Sequence, residues 1–245
     1  MVICASAAAV RVCRNAGLPP DRLRLVYDGV SLERIKHADP VRGAEALRRF
    51  LPQAVNTSNA VFLINVGKLT PAKGQAVLIE AFRDVAAKRE NAFLVIVGDG
   101  ELRESLNSQI AEAGLADRVA LVGFREDVPD LLAAADLFVF PSLSEGLGSS
   151  VIEAMLLGLP VIASEVGGIP EILSPPGVAE GKVLGWLVPP GDSRSLVTAM
   201  EAALDLPVED RYRLTTTAQS AAERQFPADR MVEQTLSLVY ELLRR

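Results

Sequence analysis

Residues 137–168 read LFVFPSLSEGLGSSVIEAMLLGLPVIASEVGG, and their punctuation decides the fold. An apolar run, Leu137 to Phe140, stops at Pro141. A glycine bend, Gly146-Leu147-Gly148, opens a helical stretch that begins near Ser149 and runs to Gly158. A second apolar run, Val161 to Ser164, follows Pro160. Strand, helix and strand in this order predict a parallel pair joined by a crossover. The alternation extends from residue 60 onward. Val61 to Val66, Phe93 to Val97, Val119 to Val122 and Gly185 to Val188 read as further strands. Gln75 to Arg89, Glu101 to Ala113, Val128 to Ala135, Pro170 to Leu173, Ser193 to Asp205 and Arg211 to Gln225 read as helices. Continuous apolar strands need cover on both faces. The pattern predicts an α/β fold, a doubly wound parallel sheet of Rossmann-like type over residues 60–225, with about six strands.

The flanks fall outside this sheet. Residues 1–36 read as a strand (Val2 to Ala5), a helix over 6–16 and a strand (Leu23 to Tyr27) before Asp28-Gly29. Residues 37–59 read as an irregular connector with one helical piece, Gly43 to Phe50. Residues 226–245 restart at Phe226-Pro227-Ala228 and form a final helix, Asp229 to Leu243. Trp186 is expected in the core and His37 on the surface.

Composition narrows the class. Of 245 residues, 49% are hydrophobic and 23% charged, which supports a full core and argues against disorder. A net charge of −6 without a basic tract argues against nucleic acid as the main partner, while leaving room for a local cationic pocket. Cys4 and Cys13 lack metal-ligand spacing and His37 is the single histidine, so no metal site is expected. The two thiols read as free and buried in a reducing cytoplasm. Met1 to Val10 lacks the basic start of a signal peptide, and no apolar run reaches the length of a membrane span. A cytoplasmic location is expected.

The chemistry concentrates on the loops after the strands, where doubly wound sheets bind ligands. Glu145 lies in the turn before the helix that opens at Ser149, and Glu153 on the first turn of that helix. Both can face one ligand over the helix N-terminus, where free N–H groups and the positive dipole end point. Carboxylates bind hydroxyls and helix N-termini bind phosphate, so a sugar nucleotide offers both. The other reading is structural: Ser150 to Glu153 and Ser142 to Glu145 each have capping-box spacing. Gly67-Lys68-Leu69-Thr70-Pro71-Ala72-Lys73-Gly74 is neither a P-loop nor a dinucleotide fingerprint. Its two lysines read either as a diphosphate clamp or as solvated loop residues. Phe124 and Arg125, after Gly123, read either as contacts to a nucleobase or as a surface turn.

Lys68-x4-Lys73-Gly74, the Gly123-Phe124 loop, and Glu145-Gly146-Leu147-Gly148 with Glu153 eight residues after Glu145 resemble a retaining GT-B glycosyltransferase of family 4 (glycosyl transferases group 1). The resemblance runs from about residue 2 to 243. It implies a C-terminal donor-binding domain of two facing Rossmann-like domains. It implies that Lys68 and Lys73 bind the donor diphosphate, Glu153 the ribose hydroxyls and Glu145 hydroxyls of the transferred sugar. Backbone groups of Gly146, Leu147, Gly148 and Ser149 would meet sugar and phosphate, with Phe124 and Arg125 beside the base. Glu145, Lys73 and Lys68 are the implied catalytic groups. The implied donor is an NDP-sugar, with no cofactor or metal, and the acceptor a glycan, lipid or small molecule. Lys68 stands where the family usually has arginine, which keeps the charge and loses the bidentate fork. Most of the N-terminal domain is expected to be missing. It would be supplied by a longer chain or a partner chain, and the full-length enzyme would sit in the cytoplasm or against the inner face of the membrane. The alternative is a non-catalytic nucleotide-sugar-binding module or a subunit completed by another chain.

Overall fold

A computed structural model describes residues 1–51, 59–175 and 183–244. Strands β1 (Val2–Cys4) and β2 (Leu23–Leu25) pair in parallel in a small sheet of their own. The main sheet contains β3 (Val61–Val66), β4 (Ala92–Val97), β5 (Val119–Leu121), β6 (Leu137–Phe140), β7 (Val161–Ser164) and β8 (Trp186–Val188). Its order is β5-β4-β3-β6-β7-β8 and every pair is parallel. The expected doubly wound α/β sheet is present.

Side chains alternate between two cores, as the twofold period of a strand requires. Phe62, Ile64, Phe93, Val95, Phe138, Phe140 and Val161 enter one core. That core is covered by α3 (Pro40–Phe50), α6 (Val128–Ala134), α7 (Ser149–Leu156), α8 (Ile169–Leu173) and α10 (Val208–Gln225). Leu63, Leu94, Ile96, Leu137, Val139 and Ile162 enter the other, under α4 (Gln75–Lys88), α5 (Arg103–Glu112) and α9 (Ser193–Leu204). Burial on both faces explains why β4, β6 and β7 carry no exposed residue.

Strand order positions the site. From β3 the chain moves outward to β4 and β5, then returns through α6 to β6 on the other side of β3. Leu63 pairs with Leu137 and Ile64 with Phe138 across that seam. The loops after β3 and β6 therefore leave the sheet side by side, at the reversal where open α/β sheets form a crevice. Buried Asn65 reinforces the seam, its Nδ2 donating to the Val139 carbonyl at 2.8 Å.

Several expectations are corrected. The helical piece in the 37–59 segment is longer and belongs to the core. Asp39 caps α3 by accepting from Val41 N and Arg42 N, Pro40 occupies its first turn, and Leu47 is fully buried. A Cβ on Gly43 would lie 1.9 Å from the Asp130 carbonyl oxygen, so glycine lets α3 close onto α6. Residues 52–58 of that segment lie outside the described residues. A short helix, α2 (Leu32–Lys36), was not anticipated. Trp186 sits on the edge strand, only partly buried, because β8 has one neighbour. Cys4 is buried but Cys13 only partly so. Both are free, their sulfurs 3.9 Å apart. His37 is exposed beside Glu33, as expected.

The flanking elements form a second layer. Helix α1 (Ala7–Asn15) and the final helix α11 (Ala228–Leu243) bury no residue. The outgoing and returning chain segments touch at Val30, whose N–H donates to the Phe226 carbonyl at 2.9 Å and whose carbonyl accepts from Ala228 N at 3.2 Å. Tyr27 packs edge-on against Phe226 with ring centroids 5.6 Å apart.

The docking of α3 is testable. Gly43→Ala gains helix propensity but forces a methyl into the Asp130 carbonyl. It should lower stability by about 1–3 kcal/mol, read as a shift in the urea midpoint without loss of the parallel-sheet spectrum.

Candidate active site

The loop after β3 is built to approach β6. A 3₁₀ turn, Pro71–Lys73, ends at Gly74 in the left-handed region (φ 66°), where a Cβ would lie 2.1 Å from the Pro141 carbonyl oxygen. The Ala72 carbonyl accepts from Leu143 N at 2.8 Å and Ser144 N at 3.3 Å. The two loops are thus joined through their backbones. Gln75, fully buried, donates from Nε2 to the Lys68 carbonyl at 3.1 Å and fixes the start of the lysine loop. The loops after β4 and β5 are tied in as well: Gly98 N donates to the Gly123 carbonyl and Leu69 N to the Asp99 carbonyl.

This zippering brings Lys73 and Glu145 together. Lys73 Nζ makes a very short ion pair with Glu145 Oε1, and the same oxygen accepts from Ser142 Oγ at 2.7 Å. The Glu145 side chain is 9% exposed and that of Lys73 25%. The ammonium also lies 5.1 Å from the centre of the Phe140 ring, within cation–π range. Lys68 is exposed and has no carboxylate partner among the described residues. Two cations therefore stand at the crevice, one paired and one open.

The glycine bend does what the sequence suggested. Leu147 is buried and anchors the bend, while Gly146 stays exposed and its carbonyl accepts from Gly168 N at 3.1 Å. Gly148 caps α7 with φ 98°, and a Cβ there would meet Ile169 Cδ1 at 2.5 Å. No side chain caps this helix, which opens at exposed Ser149; of its first N–H groups, that of Val151 donates to the Gly148 carbonyl at 3.0 Å. Both capping-box readings fail. Glu145 lies in no helix and pairs with Ser142 and Lys73. Glu153 lies in the second turn rather than the expected first, because the helix opens at Ser149, and it does not reach back to the helix start.

Glu153 faces a different partner. Its side chain is 19% exposed and lies 3.9 Å from Arg34 Nη1 on α2. Burial pushes its pKa above the usual carboxylate range, and the Arg34 charge pulls it partly back. Arg125 is already engaged: its guanidinium forks onto Asp127 at 2.8 and 2.6 Å and lies 5.2 Å from the Phe50 ring centre. The hydrogen bonds and charge of Asp127 hold it protonated beyond the usual arginine range. Neighbouring Phe124 is 78% exposed. Sequence reasoning missed Arg34, because α2 was not anticipated, and Gln75 in its role as a loop brace. Ser142 was seen only as a possible cap.

The Lys73–Glu145 pair makes a double-variant test possible. Lys73→Met leaves a nearly buried carboxylate with one hydroxyl partner and should cost about 1–3 kcal/mol. Adding Glu145→Gln removes the stranded charge and should recover most of the loss in chemical denaturation. Additive losses would show that the two side chains act separately.

Known proteins resemble this chain in sequence and fold. The model for glycosyl transferases group 1 matches residues 48–221. The alpha-D-kanosaminyltransferase of Streptomyces kanamyceticus is 32% identical over 208 residues, 84% of this chain and 50% of that protein. The amylovoran biosynthesis glycosyltransferase AmsK of Erwinia amylovora is 38% identical over 146 residues, 56% of this chain and 34% of that protein. Among solved structures, Anabaena HepE in complex with UDP-glucose superposes with a TM-score of 0.84 at 27% identity, covering 98% of this chain and 64% of that one. The chain spans about half or less of the length of the curated relatives it matches. By the family match and by the GT-B fold it shares with its structural neighbours, the chain belongs to the glycosyl transferases group 1 family.

Proposed function

We propose that this chain is the donor-binding part of a retaining GT-B glycosyltransferase of family 4, which moves a sugar from a nucleotide diphosphate sugar to an acceptor hydroxyl. The observation that carries the reading is the crevice itself. A carboxylate–ammonium pair, an open lysine and an uncapped helix N-terminus meet where the strand order reverses. Lys68 and Lys73 would take the diphosphate, Lys73 turning from Glu145 toward phosphate. Glu145, oriented by Ser142, would accept from hydroxyls of the sugar, and Glu153 from the ribose diol. The backbone of Gly146, Leu147, Gly148 and Ser149 would meet sugar and phosphate. Phe124 and Arg125 would flank the base, with Arg125 acting as a plane held by Asp127. HepE, described with UDP and UDP-glucose, supports a nucleotide sugar as the ligand.

The chemistry we assign is front-face substitution. The bond from the anomeric carbon to the diphosphate breaks, the acceptor oxygen bonds to the same face, and its proton passes to the departing diphosphate. The protein's share is charge stabilisation and positioning, supplied by the two lysines and the dipole of α7. In this reading they take the place of a metal ion. No helix among the described residues is long and apolar enough to cross a membrane. A cytoplasmic enzyme, peripheral to the membrane where the acceptor is a lipid, fits the proposal.

A second reading, a subunit completed by another domain or chain, is favoured by α11. Val232, Leu236, Val239, Tyr240 and Leu243 follow helical spacing and are all exposed. In this reading an N-terminal domain or a partner chain covers that stripe and supplies the acceptor wall.

Two outcomes are expected. In calorimetric titrations with the best nucleoside diphosphate, Glu153→Gln should weaken binding by about 1–3 kcal/mol. Glu153 must be ionised to accept from ribose, and its pKa is raised. Wild-type affinity should therefore fall as the pH drops through that raised value, before ordinary carboxylates titrate, and the variant should lack this limb. Unchanged affinity would remove Glu153 from the ribose site. The 245-residue chain should bind nucleoside diphosphates yet transfer no sugar at an enzymatic rate until its acceptor half is supplied. Transfer by the pure chain would overturn the half-site reading, and failure to bind any diphosphate would overturn the donor site.

A further inference from the structure

Glu171, in the first turn of α8, plays no part in the donor contacts described above, yet it is the most heavily engaged carboxylate bridging the two layers. Its Oε2 accepts from Ala7 N at 2.8 Å and from the Tyr27 hydroxyl at 2.9 Å, and its Oε1 accepts from Ala8 N at 2.7 Å. Arg11 Nη2 lies 4.0 Å away. Ser6 Oγ accepts from Ala9 N at 3.0 Å, so these two side chains together satisfy the opening N–H groups of α1. The N-cap Ser6 is fully buried, while no residue of α1 itself is. The Glu171 carboxylate holds that N-terminus by its N–H groups, with the dipole in its favour.

The seat lies directly under the sugar end of the crevice. A Cβ on Gly168 would be 2.8 Å from both Ser6 Cβ and the Gly146 carbonyl oxygen, and one on Gly167 would be 1.9 Å from the Glu145 carbonyl oxygen. Gly168 N donates to the Gly146 carbonyl at 3.1 Å. The Gly167-Gly168 turn is therefore stacked backbone to backbone on Glu145-Gly146 and meets the Ser6 side chain on its other contact, with Glu171 holding the start of α1 against it.

We infer that Glu171 is a positioning residue for the sugar half of the donor site: by clamping the N-terminus of α1 and the Tyr27 hydroxyl, it fixes the Gly167-Gly168 turn that supports Glu145 and Gly146. The inference rests on the donor-site reading above. It adds that the appended N-terminal layer shapes the sugar pocket through this one carboxylate, while the nucleotide half, built on Lys68, Lys73 and Glu153, does not depend on it. Glu171→Gln removes the charge and one strong acceptor with little change in shape. Ser6→Ala weakens the same turn from the α1 side and leaves Glu171 in place.

The test uses the 245-residue chain with UDP-, GDP- and ADP-glucose and the matching bare diphosphates in calorimetric titrations. The readout is the ratio of sugar-nucleotide to diphosphate affinity for the best base. Glu171→Gln should leave diphosphate affinity within about twofold and lower the ratio by about tenfold, the size of one lost hydrogen-bonded contact. Ser6→Ala should lower it in the same direction by less. An independent readout follows the clamp itself. Burial and the bond to Glu171 push the Tyr27 phenol up to about 12, and in Glu171→Gln its absorbance titration should move back toward the ordinary phenol value. Equal weakening of both ligand types, or an unchanged ratio with the phenol shifted, overturns the positioning role. An unshifted phenol overturns the clamp. A wild-type chain that binds none of the six ligands overturns the donor-site reading, and the sugar-pocket inference with it.

Discussion

Gly74 lies against the carbonyl of Pro141 with no room for a side chain, and the candidate site depends on that approach. The sheet reverses its strand order between β3 and β6, so two loops far apart in sequence leave the sheet as neighbours. Neighbouring exits alone would leave a gap wide enough for solvent. A left-handed glycine and a proline-initiated 3₁₀ turn close it, and the Ala72 carbonyl then bonds to two N–H groups of the other loop. With the gap closed, the Lys73 ammonium has little choice but to meet the Glu145 carboxylate.

An ion pair of this kind is a poor source of net stability, since both ions give up hydration. It is a good way to keep two charged groups pointed into a crevice in the absence of ligand. Ser142 fixes the carboxylate from the far side, and the Phe140 ring offers the ammonium a low-dielectric surface. In the proposed donor binding, a phosphate group arriving there would replace one anion by another, so the lysine would not need to be desolvated afresh. Glu153 is poised differently. It is largely buried, which raises its pKa, and among the described residues the more distant Arg34 charge pulls it only partly back.

The appended layer is held by directional polar contacts as well as by apolar ones, with Val30 and Phe226 buried in the core. Glu171 seats α1, the Val30 backbone bonds to Phe226 and Ala228, and Tyr27 stacks edge-on against Phe226. Helix α11 meanwhile keeps its apolar stripe in the open, Val232, Leu236, Val239, Tyr240 and Leu243 all being exposed. A layer packed and hydrogen-bonded on its inner side can be fixed in angle while its outer face stays available for another surface.

Local patterning in the sequence was enough to determine the strands, the main-sheet helices to within a few residues, and the glycine bend that carries Glu145 ahead of Glu153. Those features rest on side-chain period and turn chemistry, which act over a few residues. Helix α2 escaped because a five-residue segment offers too short a period to read, and α3 looked like a connector because its apolar face is completed only by α6. Tertiary structure alone decided the partners. Lys73 and Glu145 are 72 residues apart, Arg34 reaches Glu153, and Glu171 finds the backbone of Ala7. Each pairing follows from the order β5-β4-β3-β6-β7-β8 and from the return of the chain beside Val30. No local pattern encodes either, because they emerge only when two continuous apolar faces are buried at once.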